Sequence, residues 1–494
     1  MPGFAEFFLS NRQTSKAVNQ ARSRGEVRRV VGSLHTSELD TPLEVLIPTR
    51  LHRVIAVTHP GAVLSARTAT LNGYPASDGS VFLTHPGRRK LMLPGGILLR
   101  SRPGAGPMET DTPRVPDLVW SSSDARALLE HLQVSRSRDG RVSRTFSRTE
   151  LEEWLDRRAQ ELGDGYLNAL RDQASQIAEA LGLAEYLPQV HELIGSFLGS
   201  VSTPGVSHRL RARQAGEPHD HARVEMFDAL RTALVGNAPR VIGLPAPERR
   251  VVLPFVDAYF SNYIEGTEFA FDQAAGIVFD GAVPAGRPAD AHDITGTYNV
   301  LSAFSPGMQL PTSPEHLIAV LQGMHRGIMH GRPDKSPGAF KLRENRVGAR
   351  IFVHPDRVQG TLKEGYARYA ELTDPFARAV FMMFMVSEVH PFEDGNGRTA
   401  RAMMNAELWS AGQSPVLIPT VFRGDYLSAL RAMSTHGTPA ALLAVLDFAR
   451  TYASELNCST VPEAELDLAA TNAFEVSDQP GVRLVLPSRV AGAP

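Results

Sequence analysis

Hydrophobic and polar positions alternate with different periods along this 494-residue chain, and the differences predict its elements. Between residues 43 and 105, short Val-, Ile- and Leu-rich runs are broken by turn sequences such as "HPG" and "PGG", which predicts several short strands. After a Pro-rich passage, apolar residues recur at helical spacing in "SSDARALLEHLQ", "SRTELEEWLDRRAQEL" and "YLNALRDQASQIAEALG", and Ser147 with Glu150 predicts a capping box. Residues 200–250 are polar and broken by prolines. From 250 to 456 the pattern predicts successive helices, interrupted by the alternating stretch "RVGARIFVHPD", which predicts a hairpin.

The first 35 residues predict a small basic unit. A helix is expected from Thr14 or Ser15 to Arg24, with Gly25 as its stop, and a strand "EVRRVV" follows. A helix, a capped helix and a basic strand in this order are typical of a winged helix-turn-helix. The basic residues that would contact DNA phosphates are Lys16, Arg22, Arg24, Arg28 and Arg29. The alternative is a solvated basic face on an ordinary small helical unit.

Length and pattern together predict several domains, because 494 residues exceed what one hydrophobic core organises. The predicted fold class is a multidomain chain. Its predicted parts are a winged-helix-like and small α+β region at 1–110, a helical connecting region at 111–245, a mainly α-helical domain with a β-hairpin at 250–456, and a C-terminal tail at 457–494.

Composition narrows the function classes. The chain has 51 basic and 53 acidic side chains, a net charge of -2, so no overall field favours nucleic acid or membrane. The single cysteine, Cys458, excludes an internal disulfide framework and a cysteine-based metal cluster, and it fits a reducing cytosol. No run of eighteen apolar residues occurs, so a cytoplasmic protein without a membrane partner is expected.

The segment "HPFEDGNGRTAR", residues 390–401, concentrates the chemistry. A buried helix starting at Asp374 and Pro375 is predicted before it, and a second helix after it, so the segment forms a tight loop between helices. Gly395 and Gly397 permit turns in which backbone amides face outward at a helix N-terminus. Such amides form an anion site.

Charged side chains around this loop extend the prediction. Arg398 and Arg401 are three apart, so they leave the same helix face and can grip further phosphates. Asp394 can hold a magnesium ion that bridges phosphate oxygens, and a neutral His390 can accept a proton from an attacking hydroxyl. Together these groups favour transfer of a phosphorus-containing group; the alternative is a simple helix-loop-helix turn.

The same twelve residues match the Fic signature, His-x-Phe-x-Asp/Glu-Gly-Asn-Gly-Arg-x-x-Arg, at every defined position. The resemblance to the Fic family implies AMPylation, in which a target hydroxyl attacks the α-phosphate of ATP and pyrophosphate leaves. It implies His390 as the base, Asp394 as the Mg²⁺ ligand, Asn396 and neighbouring amides at the α-phosphate, and Arg398 and Arg401 at the outer phosphates. Other Fic proteins transfer phosphate or phosphocholine, so the signature alone leaves the donor open.

Upstream, "SNYIEG" resembles the inhibitory helix motif of Fic proteins, Ser/Thr-x-x-x-Glu-Gly/Asn. Ser261 and Glu265 stand four apart on one helix face, and Gly266 follows. The resemblance implies that Glu265 pairs with Arg401 and occupies the place of the γ-phosphate. The alternative is an exposed glutamate at a helix end.

Two further segments resemble parts of the family. Residues 341–355 have the place and pattern of the Fic flap, a hairpin whose edge aligns a target segment, and the nucleotide would lie near Val347, Gly348, Ala349 and Arg350. The segment "RGDYLSALRAM" resembles the adenine-side helix. Tyr426 is the candidate to stack on the base, although Leu427 stands where a second tyrosine is usual.

Two functions follow as hypotheses. The leading one is an autoinhibited protein adenylyltransferase that moves AMP from ATP to a Ser, Thr or Tyr hydroxyl of a protein, the chain itself being one candidate target. The other is a DNA-binding regulator, because residues 1–105 resemble AbiEi-type antitoxins and regulators; its Fic region would then sense or bind nucleotide.

Overall fold

The computed structural model describes residues 4–137, 140–236, 240–348, 350–476 and 482–490. Ala349 lies outside this description. The chain divides into two compact units, Met1–Gly216 and Glu217–Pro494, called here the N-terminal and the C-terminal unit. The division does not coincide with the boundary expected at 245–250, because the helix at 221–235 packs within the C-terminal unit.

The N-terminal unit contains a sheet-rich part followed by helices. Its strands are β1 (Phe7–Leu9), β2 (Arg28–Val31), β3 (Leu34–Thr36), β4 (Ala62–Leu64), β5 (Ser80–Thr84), β6 (Arg89–Leu93), β7 (Ile97–Arg102), β8 (Thr112–Val115) and β9 (Val119–Ser121). Its helices are α1 (Ser15–Ser23), α2 (Leu43–Thr49), α3 (Leu51–Thr58), α4 (Arg67–Thr70), α5 (Asp124–Leu132), α6 (Arg148–Leu162), α7 (Asp164–Ile177), α8 (Leu187–Leu198) and α9 (His208–Gln214).

Two sheets organise the first part of this unit. One has the order β1-β3-β2 and is antiparallel, and the other is mixed, with the order β6-β7-β5-β4-β9-β8. Helices α2 and α3 bury Ile47, Val54 and Ile55 against the strand residues Leu83 and Leu99. A separate core holds α5 to α9 together.

The start of the chain differs from the expected helix-turn-helix. Residues 7–9 form strand β1, paired with β3, and Phe7 enters the sheet core, where a first helix was expected. Over residues 4–36 the structure has one helix, α1, which runs from Ser15 to Ser23 as predicted and precedes Gly25 at φ 71°. The winged helix is therefore not confirmed, because pairing with β3 keeps the first segment extended.

Some basic residues of this region are exposed, and others donate hydrogen bonds to backbone carbonyls. Lys16, Arg22 and Arg24 are exposed. Arg28 donates to the carbonyl oxygens of neighbouring loop residues, and Arg29 donates to its own turn, at 2.7 Å from Gly32 O. DNA binding by these residues stays a prediction.

Residues 43–58 were expected to be strands but form helices α2 and α3. Their Val and Ile content favours strands, yet Leu46, Ile47, Val54 and Ile55 fall on one helical face that the sheet covers. Burial of that face outweighs the weak intrinsic preference of β-branched residues. The strands predicted downstream are present as β4 to β7.

The C-terminal unit is almost entirely helical. Its helices are α10 (His221–Val235), α11 (Leu253–Ile264), α12 (Phe271–Asp280), α13 (Pro288–Leu301), α14 (Pro314–Ile328), α15 (Val358–Tyr369), α16 (Pro375–Val389), α17 (Asn396–Ser410), α18 (Arg423–His436), α19 (Ala440–Glu455), α20 (Val461–Ala470) and α21 (Pro487–Val490). The predicted hairpin is β10 (Arg346–Val347) paired antiparallel with β11 (Arg350–Ile351).

Helix α16 is the centre of this unit. Asp374 caps it by accepting from Ala377 N at 2.8 Å, and Pro375 opens its first turn, as predicted. Its residues are buried on nearly every side by α10, α15 and α17, because the helix has almost no polar face. None of the described helices combines the length and apolar composition that a bilayer crossing requires.

The segment beyond 456, expected as a tail, contributes to a core. Helix α20 buries Ala464 and Leu468 in the cluster that also contains Leu253 and Phe260 of α11. Thr460 caps α20 through the amide of Glu463. The helix containing the predicted inhibitory motif is therefore supported from behind by residues that the sequence pattern assigned to a tail.

The capping box of α6 is confirmed and gives a stability test. Ser147 Oγ accepts from Glu150 N at 3.2 Å, and Glu150 Oε2 accepts from Ser147 N at 2.7 Å. Ser147→Ala should lower the free energy of unfolding of the N-terminal unit by about 1 kcal/mol, measured from urea unfolding midpoints. Ser175→Ala in α7, whose hydroxyl donates to Arg171 O of its own helix, is the control and should change less. Equal losses would contradict a capping contribution.

Candidate active site

The loop between α16 and α17 is fixed by its own side chains. His390 ends α16 in the left-handed region, at φ 50°, and Gly395 precedes α17 at φ 70°. Asn396 closes the loop, since its Oδ1 accepts from Phe392 N at 2.8 Å and its Nδ2 donates to Phe392 O at 2.9 Å. A non-glycine residue at positive φ is uncommon and marks a position that its surroundings hold in place.

Phe392 anchors the loop on the core. Its ring is fully buried and stacks on His325 of α14 with the ring centroids 3.7 Å apart. His325 Nε2 donates to Asp394 O at 3.0 Å, and its Nδ1 accepts from Gly338 N at 2.8 Å. Burial lowers the pKa of His325 to about 4, so the ring stays neutral with both nitrogens committed.

A second contact holds the loop from the segment that leads into the flap. Lys341 N donates to Pro391 O at 2.9 Å, and Asn345 Nδ2 donates to Phe392 O at 2.9 Å. Lys341 Nζ donates to Asn345 Oδ1 at 2.7 Å. The carbonyls of Pro391 and Phe392 are thereby satisfied by protein donors.

His390 has the state expected of a general base. Its Nδ1 lies 3.3 Å from Ser387 O, and because a carbonyl only accepts, Nδ1 carries the proton and Nε2 keeps its lone pair. The ring stacks on Phe352 at 3.8 Å. Burial is the largest cause that lowers the pKa of His390, to about 4, and the charge of Lys341 acts in the same direction.

Arg401 is buried and fully engaged by α11. Its NH2 group donates to Glu265 Oε1 at 2.7 Å and to Ser261 O at 2.7 Å, and its Nε donates to Ser261 Oγ at 3.0 Å. Burial alone lowers the pKa of this guanidinium, but the charge and hydrogen bond of Glu265 outweigh it and the pKa is raised. Glu265 ends α11, and Gly266 follows at φ 93°.

Arg398 lies in a different environment from Arg401. Its side chain is 3% exposed, and its NH1 pairs with Asp293 Oδ2 at 2.9 Å and donates to Asn262 Oδ1 at 3.3 Å. Arg332 shares the same carboxylate oxygen at 3.2 Å. The two arginines contact α11 at adjacent residues, but Arg398 is directed to an internal acid.

Asp394 offers one carboxylate oxygen for a ligand. Its Oδ1 accepts from Gly395 N at 2.7 Å, and across the described ranges no side chain pairs with Oδ2. The residue is half-buried, next to the amides at the start of α17. Carboxylate oxygens are the ligands that Mg²⁺ prefers, so this donor set fits magnesium held through one carboxylate and substrate phosphates.

A cavity of about 660 Å³ opens beside His390 and Arg401. Among its walls are Glu265, Gly397 and the flap residues Val347, Gly348 and Arg350; Ala349, also predicted there, lies outside the described residues. The volume lies within the range of small-ligand sites. The flap therefore borders the same space as the loop between α16 and α17.

Tyr426 is placed in the wall of this cavity rather than in its open space. Its side chain is 2% exposed and its hydroxyl lies 3.5 Å from Met383 Sδ. Leu427 and Leu430, one and four residues on, also line the cavity. Tyr426 therefore lies at the cavity together with apolar residues of α18, and its stacking on a base stays a prediction.

Several predicted residues meet at this cavity, and others do not. The predicted residues that line it are Glu265, Val347, Gly348, Arg350, His390, Gly397, Arg401 and Tyr426. The described predicted residues that are not part of its lining are Ser261, Gly266, Asp394, Gly395, Asn396 and Arg398. The roles of all these residues remain predictions.

Sequence reasoning missed the residues that hold the flap and the loop. Glu388 is buried and accepts from Arg350 of the flap, and Arg223 of α10 lies 3.3 Å from the same carboxylate. Arg223 also donates to Ile351 O at 2.9 Å. Glu388 could have been found as the charged residue in the apolar stretch "FMMFMVSEV". No sequence signal identifies Arg223, because it lies far from the flap along the chain.

Comparison with known proteins supports the resemblance. Residues 314–408, from α14 through most of α17, match the Fic/DOC family model. The chain contains a Fic domain. Helix α11, which contains Ser261, and the following residue Glu265 precede the matched range.

Relatives of this Fic domain are proteins named for adenylyl transfer. "Protein adenylyltransferase fic-1" of Caenorhabditis elegans is 29% identical over 181 residues, 36% of this chain and 36% of the relative. "Protein adenylyltransferase Fic" of Drosophila erecta is 26% identical over 295 residues, 54% of this chain and 59% of the relative. The chain thus spans between about a third and three-fifths of these curated relatives.

Among solved structures, "Fic-1 (aa134 - 508)" from C. elegans is similar at 21% sequence identity, over 66% of this chain and 95% of that chain. The TM-score of this likeness is 0.35. The placement of the site in this chain rests on its own contacts.

The buried environment of His390 gives a pH prediction. A pKa lowered to about 4 should appear as a ring resonance that titrates near pH 4 in ¹³C-histidine NMR, assigned by its loss in His390→Ala. Because the folded pKa lies below the unfolded value, the stabilisation is present above pH ~6.5 and is lost as the pH falls toward 4. Phe352→Ala opens the stacked face to water and should raise the midpoint. Titration near 6.5 in the unsubstituted chain would contradict burial as the cause.

Proposed function

We propose that the chain is a protein adenylyltransferase held inactive by Glu265. The observation that carries the proposal is the contact of Glu265 with the buried Arg401, in the cavity that also holds the neutral base His390. The Fic signature and relatives named protein adenylyltransferase support it.

The chemistry balances with the groups present. A target hydroxyl oxygen attacks the α-phosphorus of ATP, the new P–O bond forms, and the bond to the bridging oxygen breaks with release of pyrophosphate. The hydroxyl proton passes to Nε2 of His390, since Nδ1 already carries a proton and donates to Ser387 O. Amides at the N-terminus of α17, near Gly397, are oriented to stabilise charge on the α-phosphate.

Magnesium has a fitting partner in this chain. Asp394 would hold the ion through the oxygen that Gly395 N leaves unused. When bound, the ion neutralises charge on the phosphates. The His325 bond to Asp394 O and the stack on Phe392 keep this residue in place.

The inhibitory contact is competitive in physical terms. When the NH2 group of a guanidinium already donates to a carboxylate, the same N–H groups cannot donate to a phosphate. Ser261 accepts two further bonds from Arg401, one from Nε and one from the same NH2 group, so the guanidinium stays oriented when the glutamate leaves. Glu265 is partly solvent-accessible, with its side chain 37% exposed, and can move without unfolding the core.

The target would lie along the flap. Val347 is 66% exposed and Ile351 is 54% exposed, which leaves apolar strand residues uncovered beside the cavity. An extended target segment can pair with this short hairpin and present a Ser, Thr or Tyr hydroxyl to His390. Arg223 and Glu388 fix the hairpin from behind.

The first test is covalent labelling with ATP carrying ³²P on the α-phosphate, with magnesium. Glu265→Gly should raise the label on protein, on the order of tenfold or more, because Arg401 is freed for the outer phosphates. Glu265→Gly/His390→Ala should return it to background. Glu393→Gly removes an exposed glutamate of the catalytic loop, 54% exposed, and is the matched control expected to leave the label unchanged.

Three outcomes would contradict the proposal. Label that persists in the double variant would exclude His390 as the base. Equal activation by Glu393→Gly would show that charge removal near the loop, rather than the contact with Arg401, causes the effect. Absence of label in Glu265→Gly, with the chain's own hydroxyls and a cell extract as acceptors, would exclude adenylyl transfer.

His325 should act as a positioning residue. His325→Phe keeps a ring against Phe392 but removes the bonds to Asp394 O and Gly338 N. In the Glu265→Gly background we expect the maximal labelling rate to fall on the order of tenfold, because small displacements of reacting groups are costly. The magnesium concentration that gives half of the maximal labelling rate should rise as well. His316→Phe, at the start of the same helix, is the control, and an equal effect there would indicate a general loss of stability.

A further inference from the structure

A second cavity lies within the N-terminal unit and is lined by cationic side chains. Its volume is about 900 Å³, in the range of sites for small molecules. The cations on its walls are Arg88, Lys90, Arg100, Arg102, Arg136 and Arg144. The Fic domain and its neighbouring helices contribute none of these residues, so the cavity belongs to a different part of the chain from the catalytic loop.

Among the described residues, the charge of the Glu130 carboxylate acts on Arg144 and raises its pKa, but no acidic side chain pairs directly with these cations. Within the described ranges, none of the six cations forms an ion pair with an acidic side chain, and no Asp or Glu lines the cavity. Arg102 and Arg144 instead share the neutral amide oxygen of Gln133, at 3.2 and 3.4 Å. Arg144 also donates to Gln133 O at 3.0 Å.

Other arginines of the same unit have acidic partners. Arg126 pairs with Asp111 at 2.6 Å and Glu130 at 2.9 Å, and Arg67 pairs with Glu150 at 2.7 Å. The six cavity cations are exposed or half-buried and line one concave volume without such an ion pair in the described ranges. Their donors are therefore available to an anion that enters from solvent.

The cationic side chains of the cavity also repel one another. Burial is the first cause that lowers the pKa of Arg144, to about 10, and the neighbouring Arg102 lowers it further. Lys90 of β6 stands directly opposite Arg100 of β7 in the sheet register. Like charges opposite one another destabilise a sheet. An anion between them would relieve both costs.

The strands place these cations rigidly. Arg100 and Arg102 are two apart on β7 and therefore project from one face of the sheet. The guanidinium of Arg100 lies over the ring of Phe82, with Cζ 5.0 Å from the ring centroid. Phe82 is paired with Arg100 in the register, so the aromatic ring and the two arginines form one preorganised surface.

We propose that this cavity binds a small molecule that carries two or more phosphate groups. Arginine forks match phosphate oxygens in pairs, and several cations converging on one concave volume fit a compact polyanion better than a single carboxylate. The apolar walls at Leu132 and Tyr186 fit an uncharged part of the same molecule. A nucleic acid strand would require cations arranged along an open path, whereas these converge.

Gln133→Glu tests the proposal without removing a cation. The substitution keeps the side-chain shape and supplies Arg102 and Arg144 with the carboxylate they lack, so it should preserve or raise the thermal unfolding temperature. Titration of inorganic tripolyphosphate into the full chain at low ionic strength should show binding whose affinity falls on the order of tenfold or more in Gln133→Glu. Gln20→Glu, exposed on α1, adds the same charge elsewhere in the unit and should change the affinity less than about twofold.

A second pair of variants separates local from general electrostatics. Arg88→Gln/Lys90→Gln removes two exposed cations of the cavity, and Lys16→Gln/Arg22→Gln removes two exposed cations outside it. Only the first pair should weaken binding. Equal weakening by both pairs, unchanged binding in Gln133→Glu, or no tripolyphosphate binding would overturn the proposal. A single-stranded oligonucleotide whose affinity grows with length and that tripolyphosphate fails to displace would also overturn it, in favour of nucleic acid.

Discussion

The two hydrogen bonds between the Asn396 side chain and the backbone of Phe392 are the contact on which the active site depends. They close a loop that begins with His390 in the left-handed region and ends with Gly395 in the same region. The closed loop sets the direction in which α17 starts, and therefore where its first amides and Arg401 lie. The core position of Phe392 then ties this geometry to the buried helix α16.

The proposed inhibition and the proposed catalysis would compete for the buried guanidinium of Arg401. Its NH2 group donates to both Ser261 O and Glu265 Oε1, and its Nε donates to Ser261 Oγ. Ser261 lies in α11 and Glu265 directly follows that helix, so one segment both orients Arg401 and occupies its donors. The core that supports α11 includes Ala464 and Leu468 of α20.

The sequence predicted the parts whose geometry is local. The loop between two helices, the cap at Asp374 and the capping box at Ser147 follow from spacing within a few residues, and all are present. The contacts of His325 and Lys341 with the loop join residues about 50 to 70 positions apart, which no periodicity encodes. At the start of the chain, pairing of β1 with β3 across the intervening helix α1 overrode the local helical pattern.

The position of Glu265 directly after α11 sets the scale of motion that the proposed switch would require. Helix termini open at a small fraction of the free energy that unfolds a core, and Gly266 at φ 93° already breaks the helical path there. Ser261, one turn earlier, remains within the helix body. Relief of the proposed inhibition would thus be a fraying event at one helix end that leaves the scaffold of the domain at rest.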